Sequence, residues 1–186
     1  MTEDTNGSVS LRVYDKNKNE VEFLIPRKQA EYSRLIMSML EDDDDEAPEI
    51  PLMGSNVETL TLVIQFFNLL DEVGGGWDAI QTPIRSNDMN AVLMAWQTPG
   101  KPVHLYADFI NRFSLDELVN LLREANYLDI PSLLDLCLSK TAALMYGKSV
   151  EETKDLLGIK GDISLEEAKR IREQNSWLFK LPDETN

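Results

Sequence analysis

Few side chains in this sequence are suited to chemistry: a single histidine, His104, a single cysteine, Cys137, a run of three glycines at 74–76, and the acidic run EDDDDE at 41–46. An imidazole acting as general base needs a nucleophile or an orienting carboxylate within hydrogen-bonding reach. His104 stands beside the end of an expected loop, in no such pattern. Cys137 falls on the apolar side of an expected helix, where a thiol stays protonated and inert. The triple glycine follows a helix rather than a strand and lacks the Lys-Ser/Thr that completes a phosphate loop, so it reads as a flexible connector. The acidic run lacks the spaced ligands and central glycine of a calcium loop. It reads as a solvated segment that also deters pairing at the neighbouring strand edge. One cysteine and one histidine exclude a disulfide framework and an ordinary Cys/His zinc site. The expectation is a non-enzymatic protein with no metal and no cofactor.

Bulk properties point the same way. The chain has 186 residues, 42% of them hydrophobic, enough for one buried core with an appendage. Its formal net charge is −15, from 33 acidic and 18 basic residues. That balance repels phosphate backbones and anionic lipid surfaces, so neither nucleic acid nor a membrane is expected as a direct partner. The N-terminus MTEDTNGS lacks the basic start and apolar centre of a signal peptide, and no apolar run reaches the roughly 18 residues of a membrane span. Together with the lone cysteine this predicts a cytoplasmic and nuclear protein.

The elements that must position any functional group follow from periodicity. Val9, Leu11 and Val13 alternate with polar neighbours, and the cluster DKNKNE leads into VEFLI, which predicts a hairpin. Pro26 suits the first turn of a helix carrying Tyr32, Leu35, Ile36, Met39 and Leu40, ended by the acidic run at the electronegative end of the helix dipole. EIPLM reads as a short strand. Asn56 is placed to cap a helix with Val57, Leu60, Ile64 and Phe67 on one face. From 71 to 104 turn residues dominate, in DEVGGGWDAIQTPIRSND and QTPGKP, while MNAVLMAW between them fits a strand or a helical turn equally. Ser114 and Glu117 form a capping box ahead of Leu118, Leu121, Leu122 and Ala125. Pro131 opens a helix carrying Leu133, Leu134, Cys137, Thr141, Leu144 and Met145, stopped by Gly147. Two more boxes, Ser149 with Glu152 and Ser164 with Glu167, open helices that end near Gly158 and Asn175. Helices shorter than about 12–15 residues are marginal in water. These two need something to pack on, either this chain's own core or a partner.

The segment EANYLDIPSLLDLCLSKTAALMYGKSVEETKDLLGI, Glu124 to Ile159, resembles the S-phase-kinase-associated adaptor family, the adaptor subunits of SCF ubiquitin ligases. IPLMGSNVETLTLVIQFF and ISLEEAKRIREQNSW resemble it too, in the right order, so the likeness covers most of the chain. Its most specific parts are Asn126-Tyr127-Leu128-Asp129-Ile130, Gly147-Lys148-Ser149 with Glu151-Glu152 after it, and Asn175 two residues before Trp177. Related modules such as elongin C match the first part but lack the two terminal helices.

The resemblance implies an α+β fold: a BTB/POZ-like domain with a small sheet and helices, plus a C-terminal helical extension. It implies a flexible N-terminus at 1–8, the BTB/POZ-like domain at 9–130 with a long loop at 71–104, an F-box-binding region at 131–180 and a tail at 181–186. It further implies a non-enzymatic adaptor that bridges a cullin scaffold and F-box substrate receptors. By motif, Leu133, Leu134, Leu144, Met145, Leu156, Leu157, Ile159, Ile171 and Trp177 face the F-box protein, and Asn126 and Tyr127 face the cullin. The alternative partners are one F-box-like protein in a cullin-free assembly such as a kinetochore complex, or a second copy of the chain, in a homodimer through the BTB face. Arg123 and Glu124 stand where members usually carry small apolar residues, the glycine-rich middle loop replaces an acidic insertion, and Pro131 lies one position before a proline that some relatives modify. These departures mark a divergent member.

Overall fold

A computed structural model of the chain describes residues 7–41, 48–97, 99–161 and 164–176. The first six residues, most of the acidic run, Trp177 and the tail lie outside the described residues. The chain divides into two compact units, Met1–Gly147 and Lys148–Asn186.

In the first unit the alternating N-terminal pattern forms β1 (Ser8–Tyr14) and β2 (Glu20–Pro26), and EIP forms β3 (Glu49–Pro51). The sheet order is β2-β1-β3: β1 runs antiparallel to β2, with Leu11 opposite Phe23, and parallel to β3, with Leu11 opposite Ile50. Asp15 sets the hairpin, its carboxylate accepting from the Asn17 and Asn19 backbone N–H groups, both at 2.8 Å. Strand β1 starts one residue inside the segment expected to be a flexible terminus.

The helix expected after Pro26 is two helices, α1 (Arg27–Ala30) and α2 (Arg34–Glu41). Ser33 makes the break. Its hydroxyl donates to the Leu128 carbonyl at 2.5 Å and accepts from the Ile36 N–H at 3.1 Å, so it caps α2 and reaches a distant part of the chain at once. Helix α3 (Val57–Glu72) is capped as its sequence predicts, with Asn56 accepting from the Thr59 N–H at 2.9 Å. The glycine run closes α3: the Gly75 N–H bonds the Leu70 carbonyl at 2.7 Å.

The region 71–104 departs furthest from its expected loop. MNAVLMAW resolves as helix α4 (Met89–Trp96), capped by Asp88, and α5 (Val103–Asn111), a helix with no capping pattern of its own, begins directly after the QTPGKP turn. The connection before α4 is tied down. The Trp77 indole N–H and the Ile80 backbone N–H both donate to Asp135 Oδ2, at 2.9 and 2.7 Å, and Gln97 bonds the Asp78 carbonyl at 2.5 Å. Helix α6 (Leu115–Tyr127) starts at the predicted capping box, and α7 (Pro131–Met145) has Pro131 at its first turn.

The core of this unit joins the sheet to α3, α5, α6 and α7. Phe66 sits at its aromatic centre, fully buried, with ring centroids 5.6 Å from Phe109, 6.3 Å from Tyr106 and 6.4 Å from Trp77. Phe66→Ala removes all three ring contacts and leaves a cavity, and should lower the stability of the chain by about 3–5 kcal/mol in chemical denaturation.

The second unit holds α8 (Val150–Leu156) and α9 (Leu165–Gln174). Ser149 and Glu152 complete a reciprocal box on α8, and Ser164 accepts from the Glu167 N–H at 3.1 Å on α9. Gly158, at φ +63°, occupies the left-handed position just past α8.

Candidate protein-binding surfaces

The pentapeptide Asn126-Tyr127-Leu128-Asp129-Ile130 joins α6 to α7, and its side chains alternate. Leu128 and Ile130 are fully buried, whereas Asn126, Tyr127 and Asp129 reach the surface. Asp129 takes a left-handed backbone, φ +48°, and the Ile130 N–H returns to the Ala125 carbonyl at 2.9 Å, closing the end of α6. The Leu128 and Asp129 carbonyls then accept from the Leu35 and Arg34 N–H groups of α2, at 3.4 and 3.0 Å. The peptide is therefore a rigid elbow, and Asn126 and Tyr127 are both exposed on the last turn of α6 beside it.

Tyr127 is 39% exposed and rests on the loop between β3 and α3. The Gly54 N–H donates to its hydroxyl oxygen at 3.2 Å, and a Cβ at position 54 would fall 2.7 Å from the ring. Only glycine admits the ring at this distance. One turn earlier on α6, Glu124 is buried. Thr59 Oγ1 donates to its Oε2 at 2.8 Å. Burial pushes the Glu124 carboxyl above the usual glutamate range, opposed by the Ser55 and Thr59 hydroxyls.

Helix α7 carries four residues expected to face an F-box protein, and they differ in position. Leu133 is fully enclosed, with Leu136, Cys137 and Ala143, in this chain's own core. It has no surface to offer a partner, which corrects the sequence expectation: the step of about 100° between consecutive helical residues points Leu133 and Leu134 to different sides. Leu134 and Leu144 are half-buried against that core, and Met145 is half-buried at the helix end. Leu138, 50% exposed, and Tyr146, 49% exposed, were not singled out from the sequence. The signal existed, since Leu134, Leu138 and Met145 recur at spacings of four and seven on one side of α7.

In the second unit neither α8 nor α9 buries a side chain. Leu156 is half-buried, while Leu157, Ile159 and Ile171 are exposed. Val150, at 70%, and Leu165, at 91%, are exposed as well and were missed because each sits in the first turn of its helix. Trp177 lies outside the described residues. The candidate reactive groups are set differently: His104 is exposed on α5, and burial pushes the Cys137 thiol up to about 12, which leaves it protonated at neutral pH. No cluster of three or more metal-ligating side chains occurs among the described residues, and no described helix is long and apolar enough to cross a membrane.

A three-stranded sheet whose third strand follows two helices, with the remaining helices after it, is an α+β fold of the BTB/POZ-like kind with a helical C-terminal extension. The sequence profile described as "Skp1 family, dimerisation domain" matches residues 131–178. The "S-phase kinase-associated protein 1 homolog" of Tetrahymena thermophila is 28% identical over 92% of this chain and 95% of its own length. The "E3 ubiquitin ligase complex SCF subunit sconC" of Arthroderma otae is 31% identical over 84% of this chain and 88% of its own. "SKP1-like protein 16" of Arabidopsis thaliana is 28% identical over 94% and 97%. The chain belongs to the Skp1 family.

The buried carboxyl gives a prediction with a definite sign. A folded-state pKa above the unfolded value means that the native state holds its proton longer, so the group's favourable contribution is complete below the unfolded pKa and is lost as pH rises through the folded one. Glu124→Gln cannot ionise. Denaturation midpoints at steps from about pH 4 to about pH 7 should show the unaltered chain losing stability relative to Glu124→Gln as pH rises.

Proposed function

We propose that the chain is a non-enzymatic adaptor of an SCF-type ubiquitin ligase, carrying an F-box substrate receptor on its terminal helices and meeting a cullin scaffold at the Asn126–Tyr127 elbow. The reading draws support from relatives that include one named as an E3 ubiquitin ligase complex SCF subunit, matched over most of both chains. The observation that carries it is the state of α8 and α9. These helices, of 7 and 10 residues, are well capped at their N-termini yet have no fully buried side chain, and they leave Leu157, Ile159 and Ile171 exposed. Capping contributes about 1 kcal/mol per end, which does not hold such short helices in water. Burial of these side chains, at about 25 cal/mol per Å² of apolar surface, supplies the missing stability once a partner's apolar helices cover them. Leu134, Leu144 and Met145 of α7 are assigned to the same receptor, and Leu133 is withdrawn from it.

The partner fits the surface in chemistry as well as size. A short helical module with an apolar face buries apolar area without asking for specific charges, and a standard interface of about 1,600 Å² suffices for stable association after the cost of ordering. Tyr127 offers the scaffold an aromatic contact held in place from below, the kind of anchor that dominates interface energy. Hydrogen exchange of the full chain, alone and with an F-box segment, tests the reading. The amides of α8 and α9 should exchange quickly in the free chain and become protected in the complex, while those of α3 and α6 change little. Equal protection of the terminal helices in both states would sink it.

A further inference from the structure

Helix α4 is apolar on both of its sides. Met89, Val92 and Leu93 are buried against the core, yet Ala91, Met94, Ala95 and Trp96 on the outer side are all exposed, Met94 at 70%. No charged residue occurs between Met89 and Trp96. A helix that is apolar all round is normally covered all round, and a cluster of exposed apolar side chains marks a surface that meets a partner. A groove of about 500 Å³ opens along this outer side, room for a few side chains. Pro83 and Ile84 form one wall, and Ala91, Val92, Ala95 and Trp96 form the other. None of these residues belongs to the surfaces assigned above to the receptor or the scaffold.

The polar groups around the groove are donors in want of an acceptor. Arg85, exposed on the first wall, is the one charged side chain among the described lining residues. Among the described residues neither its guanidinium nor the Trp96 indole N–H has a partner. The Ser86 hydroxyl oxygen accepts from the Asp88 N–H at 3.0 Å, which leaves its own proton to donate. Such a rim calls for an acceptor with negative charge, and a guanidinium matches a carboxylate in shape as well. Other occupants fit less well. A basic segment meets Arg85 with no carboxylate in the lining to offset it. A second copy docked groove to groove about a two-fold axis brings two Arg85 side chains to one face, again with no carboxylate between them. A small aromatic acid leaves Met94, which lies outside the groove, uncovered. We propose that the groove between segment 82–86 and α4 docks a short amphipathic segment of a partner protein, with its apolar side chains against Pro83, Ala95 and Trp96 and an Asp or Glu paired with Arg85. Trp and Arg are the residue types that most often dominate such contacts. The net charge of −15 repels an acidic partner at a distance, but physiological salt screens that field within about 8 Å, so the local pair governs docking.

The test titrates the full, isotope-labelled chain with two synthetic amphipathic peptides that share an apolar face of Leu and Phe. In one the flanking positions are Glu, in the other Lys. The Glu peptide should shift the amide resonances of residues 84–96 and bind about tenfold more tightly than the Lys peptide. Arg85→Glu, a substitution at an exposed site, should reverse that preference, and Trp96→Ser should weaken the Glu peptide about tenfold. No shift at 84–96 with the Glu peptide overturns the proposal. So does equal affinity for the two peptides, or an unchanged preference in Arg85→Glu. Shifts at 84–96 that follow the chain's own concentration without peptide put a second copy in the groove, and phenylacetate binding as tightly as the Glu peptide puts a small acid there; either result overturns it too. The adaptor reading draws on other residues and stands or falls separately.

Discussion

The first unit depends on one junction, the elbow at Leu128–Asp129, where the start of α2 meets the end of α6. Every helix begins with backbone N–H groups that have no partner inside it, and a buried N–H left unpaired costs about as much as a lost hydrogen bond. Helix α2 meets this demand with distant groups: the Arg34 and Leu35 N–H groups donate to the Asp129 and Leu128 carbonyls, and Ser33 joins the two sides with its hydroxyl. The same contacts answer the carbonyls at the end of α6. One set of bonds therefore terminates two helices nearly a hundred residues apart in sequence and welds the sheet half of the unit to the helical half.

That weld explains which features are legible in the sequence. Caps at Asn56, Ser114, Ser149 and Ser164 are local, each resting on residues at most three apart, and all four hold. The break between α1 and α2 is not local. Nothing between Pro26 and Glu41 is a strong breaker, and the helical spacing of Tyr32, Leu35, Ile36 and Met39 continues through Ser33. The interruption comes from carbonyls at 128 and 129, and tertiary bonding overrides periodicity there. Helix α5 was hidden for a related reason. Its start at Pro102 has no capping side chain, and its buried face, Val103, Tyr106, Ala107 and Ile110, acquires meaning only against the rings of Phe66 and Trp77.

The site was legible by type more than by direction. Periodicity and capping signals identified the helices, and the family motif singled out apolar residues on them and the elbow. What the sequence did not carry was which side of α7 faces inward. Leu133 and Leu134 are chemically equal, and only the packing of α7 on α6 makes one core and the other half-exposed. Glu124 shows the converse. As a departure from the motif it marks divergence, but its partner Thr59 lies 65 positions away, and their hydrogen bond is visible only once α3 and α6 are side by side.

The two units answer the same physical problem in opposite ways. In the first, most polar groups that must be buried find partners within the chain: the α2 donors at the elbow, Asp135 for Trp77 and Ile80, Thr59 for Glu124 Oε2. Such mutual satisfaction makes the surface above it stiff, and a stiff aromatic such as Tyr127 loses little freedom on meeting a partner. In the second unit the backbone ends are capped but no apolar side chain is fully buried, so local order is prepared without being paid for by a core. Good caps without a core have a specific consequence. They define where each helix begins, so that a partner's apolar face selects a register already encoded in Ser149 and Ser164, and its burial energy goes into affinity instead of nucleation.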